Sequence, residues 1–127
     1  MEIALIKYIN SCQDLINLIG KNRLFPLFAT DVTKPALEYQ FRHLRGGIVK
    51  QSQLSINVIW TDYDLILQIK AVLDNLLDFP LPSNFITVEN IQFNSRIGGG
   101  STPLYRPDLK LYQINLNFLV NWRQFNE

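Results

Sequence analysis

The residues able to do chemistry are few and lie far apart in the sequence. His43 is the only histidine and Cys12 the only cysteine, and they fall in different predicted elements. A catalytic or metal-binding histidine needs partners that orient its ring, and one cysteine with one histidine cannot fill a structural zinc site. We therefore interpret His43 as an exposed histidine beside the Gly46-Gly47 turn, and we expect no metal at either residue.

Two aspartates resemble a divalent-metal pair more closely. Asp62 and Asp64 stand at the start of a predicted helix, where a side-chain cap and the helix dipole account for both carboxylates. A calcium-binding loop would require further acidic residues, a glycine and a later glutamate at fixed spacing, and none follows. The sequence therefore predicts no metal site.

A glycine-rich run suggests a phosphate cradle at first sight. It spans Arg96 to Thr102 and includes Gly98-Gly99-Gly100. A phosphate-binding loop needs a lysine and a following helix, but no lysine stands here and Pro103 and Pro107 prevent a long helix. We interpret the segment from Asn94 to Asp108 as a flexible hairpin connection. With no catalytic and no cofactor-binding residue in sight, we expect no enzyme and no cofactor.

The elements around these residues follow from periodicity. Residues 1–19 predict one bent helix or two short ones, with Gly20 as the stop. A second helix is capped by Thr61 or Asp62 and runs to about Leu77. Alternating apolar and polar residues predict four strands, namely Ala36–Arg42, Leu54–Trp60, Phe85–Phe93 and Leu109–Trp122.

This order predicts an α+β fold. Two antiparallel hairpins with a helix between them, in the order α-β-β-α-β-β, form a single four-stranded antiparallel sheet with helices packed on one face. In the last strand Ile114, Leu116 and Phe118 should face the core, and Asn115 and Asn117 the other face. That other face, rich in Asn, Gln, Ser and Thr, should be wet or form an interface.

Bulk composition restricts the class of protein. The chain has 127 residues, 47% hydrophobic and 18% charged, with a net charge of +1. We expect one domain over residues 1–127, no specific nucleic-acid partner, because a basic excess is lacking, and no membrane span, because apolar runs are short. No signal peptide is visible, and a single cysteine suits a reducing cytoplasm.

Basic residues concentrate around the two predicted hairpin loops. Paired hairpins can point their loops toward the same end of a sheet. These residues then form either two ordinary solvated loops or a surface that meets acidic groups of a partner, with neighbouring apolar side chains buried in the contact. The predicted partner-contact residues are Arg42, Arg45, Arg96, Ile97, Leu104, Tyr105 and Arg106.

The ordered pattern resembles a known family. An opening helix precedes Arg23-Leu24-Phe25-Pro26, a loop leads to Pro35-Ala36-Leu37-Glu38-Tyr39-Gln40, and a strand ending in Ile59-Trp60-Thr61-Asp62-Tyr63 runs directly into a helix. A hairpin with a long Gly-rich tip closes the chain. Over most of its length the sequence is similar to the tail-completion, or tail terminator, proteins of long-tailed bacteriophages and prophages.

The resemblance implies a structural role without catalysis or cofactor. Such proteins assemble in the bacterial cytoplasm as rings, commonly hexamers, at the head-proximal end of the virion's tail. They stop polymerisation of the tail tube protein and join it to the head-tail connector. Three alternatives remain open: another phage neck or connector component, a small ligand- or nucleic-acid-binding α+β module, and an enzyme, which no group of residues supports.

Overall fold

A mixed β-sheet with helices on one face forms the body of the computed structural model, which describes residues 1–27, 34–79, 85–108 and 110–124. The helices are α1 (Glu2–Asn10), α2 (Gln13–Ile19) and α3 (Tyr63–Leu77). The strands are β1 (Leu24–Pro26), β2 (Ala36–Arg45), β3 (Lys50–Trp60), β4 (Ile86–Val88), β5 (Ile91–Gly100), β6 (Leu104–Arg106) and β7 (Leu111–Gln124). The predicted strand start at Leu109 and part of the predicted loop before Pro35 lie outside the described residues.

The prediction of a single four-stranded antiparallel sheet is wrong. Within the described ranges the sheet has seven strands in the order β1-β2-β3-β7-β5-β4, with β6 also paired to β7, and it curls into a half-barrel. The pairing of β1 with β2 is parallel, so the sheet is mixed. Strands β1 and β6 have three residues each, too few for an alternating pattern to be recognisable in the sequence. The predicted third strand, Phe85–Phe93, is instead a hairpin, in which β4 turns at Glu89 and Asn90 and pairs with the start of β5.

The core lies between the sheet and the helices. Leu116, Phe118 and Val120 of β7 are almost fully buried, while Asn115 and Asn117 are half-buried on the other face. The predicted alternation along the last strand is therefore confirmed. In α3 the buried residues are Ile66, Ile69, Leu73 and Leu77, so one face of the helix packs on the core.

Helix boundaries follow local chemistry. The side chain of Asp62 accepts hydrogen bonds from the backbone N–H groups of Asp64 and Leu65, at 3.0 and 3.4 Å, which confirms Asp62 as the N-cap of α3. Ser11 does not cap α2. Its hydroxyl donates instead to the carbonyl oxygen of Tyr8 at 2.7 Å, which ties it to the end of α1, and Cys12 takes the cap position of α2.

The glycine-rich segment is a strand, so its prediction as a loop is wrong. Strand β5 continues to Gly100, with Gly99 paired to Asn117 and Gly100 to Leu116. The register shifts between Ile97 and Gly99, which makes Gly98 the extra residue of a β-bulge. Glycine has no side chain to alternate between faces, so a sequence pattern cannot reveal such a strand.

Candidate interaction surfaces

The two hairpin tips lie at opposite ends of the sheet, contrary to the prediction that they share an end. Lys50 at the start of β3 pairs with Trp122 at the end of β7, and Trp60 pairs with Tyr112 at the other end. Strands β3 and β7 are each the second strand of a hairpin. Because they run antiparallel to each other, the turns that precede them must point in opposite directions.

The predicted partner-contact residues are therefore divided among separate places. Arg45 lies at the β2–β3 tip, whereas Leu104, Tyr105 and Arg106 form β6 at the other end. Ile97 pairs with Phe118 at the bulge of β5, and its backbone N–H lies 3.5 Å from Asp78 Oδ1.

Arg42 and Arg96 lie in the same row of residues across the polar face of the sheet. Arg42 pairs with Gln53, Gln53 with Leu119, and Leu119 with Arg96, so the two arginines occupy one row across four strands. Three strand spacings separate them by about 14 Å. Arg42 Nη2 donates to Gln53 Oε1 at 2.6 Å, which holds its guanidinium along the row.

Side-chain amides cover the centre of this polar face. Asn115 Nδ2 lies 3.0 Å from Ser55 Oγ and 2.8 Å from Asn57 Oδ1, so the hydrogen bonds run between β7 and β3. On the face opposite the helices, the residues that the structure describes in β2, β3, β5 and β7 include no aromatic side chain. The face therefore lacks the stacking platform with which RNA-reading sheets bind bases.

The β2–β3 tip is an apolar projection with basic residues. We define it as Leu44, Arg45, Ile48 and Val49, together with the two glycines of the turn. The exposed fractions of Leu44, Ile48 and Val49 are 43%, 89% and 54%. Beside the tip, Lys50 Nζ lies 4.9 Å from the centroid of the Trp122 ring. Three neighbouring apolar side chains exposed to this extent make the tip a candidate interaction site.

Tyrosines gather at the opposite end of the sheet. The ring of Tyr112 lies 5.4 Å from that of Tyr63 at the start of α3 and 4.9 Å from that of Tyr105 in β6. Arg106 Nη1 donates to Gln113 Oε1 at 3.3 Å. Tyr105 and Leu104 are 51% and 55% exposed, so this end offers a second apolar patch.

A groove opens on the helical side, between the helices and β4. Its volume is about 560 Å³, and its apolar lining consists mainly of Tyr8, Cys12, Val72, Leu76, Phe79 and Ile86. Asp14 is the charged residue among those described along its wall. Sequence reasoning missed this site, because its lining comes from α1, α2, α3 and β4 and no single segment signals it.

Tyr8 is fixed in the wall of this groove. Its hydroxyl donates to the carbonyl oxygen of Leu76 at 3.1 Å, and its ring packs edge-on against Phe79 and Phe93. Burial raises the pKa of the Tyr8 hydroxyl, and a negative charge on Cys12 would raise it further. The hydrogen bond and the two ring contacts therefore hold Tyr8 in one orientation.

His43 is exposed, as predicted, but it has a partner that sequence reasoning missed. Its Nδ1 lies 3.4 Å from the hydroxyl oxygen of Ser52, the residue it faces across the hairpin. That oxygen also accepts a hydrogen bond from Trp122 Nε1 at 3.1 Å. Ser52 is fully buried, so the arrangement links side chains of β2, β3 and β7 inside the sheet.

Residues 1–27, 34–79, 85–108 and 110–124 contain no group of three or more His, Cys, Asp or Glu side chains placed to hold a metal ion. No helix in these ranges has the length and apolar character that crossing a membrane requires.

Comparison with known proteins shows a likeness at the level of the fold. No family model and no curated protein matches this chain. A solved virion chain shares the fold. It belongs to a structure described as the virion of a native gene transfer agent (GTA) particle, and the superposition has a TM-score of 0.66 over 96% of this chain and 93% of that one. Sequence identity is 9%, so the likeness establishes a common fold.

Proposed function

We propose that this chain is a structural virion-assembly protein, and specifically a tail terminator. In this role it forms a ring, most simply a hexamer, on the head-proximal end of the tail tube and presents the surface that joins the head-tail connector. It reaches this place in the virion after assembly in the bacterial cytoplasm. The observation that carries the proposal is the near full-length fold likeness to a chain of a virion particle.

Surface properties of the chain support a role in assembly. An apolar tip at one end, a tyrosine patch at the other and an open groove between helices are all available for contact. A protein that caps one structure and joins another needs contacts at both ends, and the antiparallel placement of the two hairpins supplies two separate ends.

A tail-completion experiment tests this function. We expect that particles produced without this protein carry tail tubes of uncontrolled length and heads without tails, and that adding the purified protein to free tubes caps their ends in electron micrographs. Tubes of normal length that fail only to join heads would contradict the terminator role.

The second candidate is another neck or connector component, which the same fold likeness allows. It predicts the reverse binding preference: the purified protein would bind the head-tail connector and would leave bare tail tubes uncapped. Sedimentation of the protein with each purified partner separates the two candidates. A nucleic-acid-binding role is disfavoured by the polar face described above, which offers amides rather than aromatic rings.

A further inference from the structure

We propose that the β2–β3 tip of one copy docks into the helical groove of the next copy, and that this head-to-tail contact builds the ring. The inference rests on the proposed function, which requires a ring. The tip supplies Ile48, the most exposed large apolar side chain among the described residues, with Val49 beside it. The groove supplies an apolar lining from Tyr8, Val72, Leu76 and Phe79.

Charge complementarity favours a second copy of this chain as the occupant. Arg45 projects from the tip, three residues before Ile48, and is exposed. Asp14 is exposed on the groove wall, where the other described lining residues are uncharged. Docking of the tip would therefore pair an arginine with a carboxylate at the edge of an apolar contact, an arrangement typical of interfaces.

The placement of the two surfaces explains why the contact links different copies. One row of paired residues runs across β3, β7, β5 and β4 from the base of the tip to the groove wall. Its members are Lys50, Trp122, Phe93 and Ile86. The base of the tip and the groove are thus three strands apart, about 14 Å, and the tip extends beyond the sheet. A contact between two different surfaces is heterologous, so it passes from copy to copy and ends only when a ring closes.

Cross-linking tests the contact directly, because the chain has a single cysteine and Cys12 lies in the groove. A Cβ at Gly46, in the turn of the tip, meets nothing within 4 Å, so a cysteine there leaves Ile48 in place. We expect the Gly46→Cys variant, treated with a short bifunctional thiol reagent, to give a ladder of covalent oligomers. The same variant with Cys12→Ser should give none. A matched control, Thr102→Cys, places an exposed thiol at the other end of the sheet and should leave Cys12 unlinked.

Charge-reversal variants test the pairing of Arg45 with Asp14 through their effect on self-association. We expect Arg45→Glu and Asp14→Lys each to weaken self-association about tenfold, and the double variant to recover most of the loss. Ile48→Ser should weaken it by about tenfold to a hundredfold, whereas Ile3→Ser, which truncates a side chain that is 73% exposed on α1, should have little effect. Sedimentation velocity measures association, and circular dichroism verifies folding.

The outcomes separate this inference from the proposed function. If the wild-type protein assembles and caps tubes but Gly46→Cys gives no link to Cys12, the docking inference is wrong and the terminator role stands. Links that persist with Cys12→Ser would indicate a symmetric tip-to-tip contact and would also overturn it. If the wild-type protein forms no ring, alone or with the tail tube protein, both proposals fail.

Discussion

Gly100 packs directly against the backbone of Asn115. A Cβ atom added to Gly100 would come within 2.6 Å of the Asn115 carbonyl oxygen, closer than van der Waals contact permits. The same region is held by hydrogen bonds from Ser101 N–H to Asn115 O at 2.9 Å and from Asn115 N–H to Ser101 Oγ at 3.1 Å. The close approach explains why glycine stands in a strand, where it is otherwise unfavourable.

Gly100→Ala should therefore destabilise the protein. Because backbone rather than a flexible side chain blocks the new methyl group, we expect a loss of about 1–3 kcal/mol in the free energy of unfolding. Gly46→Ala is the control, since a Cβ at Gly46 meets nothing within 4 Å. Urea denaturation measures both variants, and equal losses would show that the approach to Asn115 has no special cost.

Phe118 and Asn117 are adjacent in sequence, but we expect a charge introduced at the two positions to have opposite effects on folding. Phe118 is fully buried and Asn117 half-buried on the polar face. Phe118→Asp should cost more than about 4 kcal/mol, a large part of the stability of an ordinary domain, and should give insoluble protein. Asn117→Asp should give soluble, folded protein. Solubility and circular dichroism provide the test, and a similar response at both positions would contradict the assigned faces.

The hydroxyl oxygen of Ser52 accepts a buried hydrogen bond from the indole N–H of Trp122. Ser52→Ala leaves this donor without its partner, so we expect a loss of about 1–3 kcal/mol. Thr102→Ala removes a hydroxyl from an exposed residue and should change stability little. Denaturation followed by tryptophan fluorescence compares them. If Ser52→Ala is as stable as Thr102→Ala, the bond contributes nothing to folding.

Ionisation of the Tyr39 hydroxyl should make the free energy of unfolding depend on pH in alkaline solution. Burial raises the pKa of its hydroxyl above 10.0, and the neighbouring Glu2, which accepts its hydrogen bond at 3.2 Å, raises it further. A folded-state pKa above the unfolded value means that the contribution to stability is complete below pH 10.0 and is lost as pH rises through the folded pKa.

We expect Tyr39→Phe to flatten this alkaline decline in melting temperature, and Tyr105→Phe, which removes a hydroxyl from an exposed residue, to leave it nearly unchanged. Thermal melts over a series of alkaline buffers measure the decline. An identical pH dependence in wild type and Tyr39→Phe would rule out the linkage.

Some features followed from the sequence alone because their causes are local. The cap at Asp62 needs only backbone N–H groups two and three residues later. The faces of β7 are set by a period of two residues, which Leu116, Asn117 and Phe118 display clearly. The exposure of His43 was predictable because the residue stands close before the Gly46-Gly47 turn, which is also a local feature of the sequence.

Tertiary structure decided what depends on residues distant in sequence. Strand β5 could not be recognised through Gly98 to Gly100, because glycines show no alternation and only pairing with β7 reveals the strand. The opposite directions of the two hairpins follow from the pairing of β3 with β7, and the placement of Arg42 and Arg96 in one row follows from three successive pairings. The groove beside Tyr8 and Phe79 exists only where helices and β4 meet. Periodicity assigns a face to each residue of an element, but the free energy of packing between elements selects which faces and ends become neighbours.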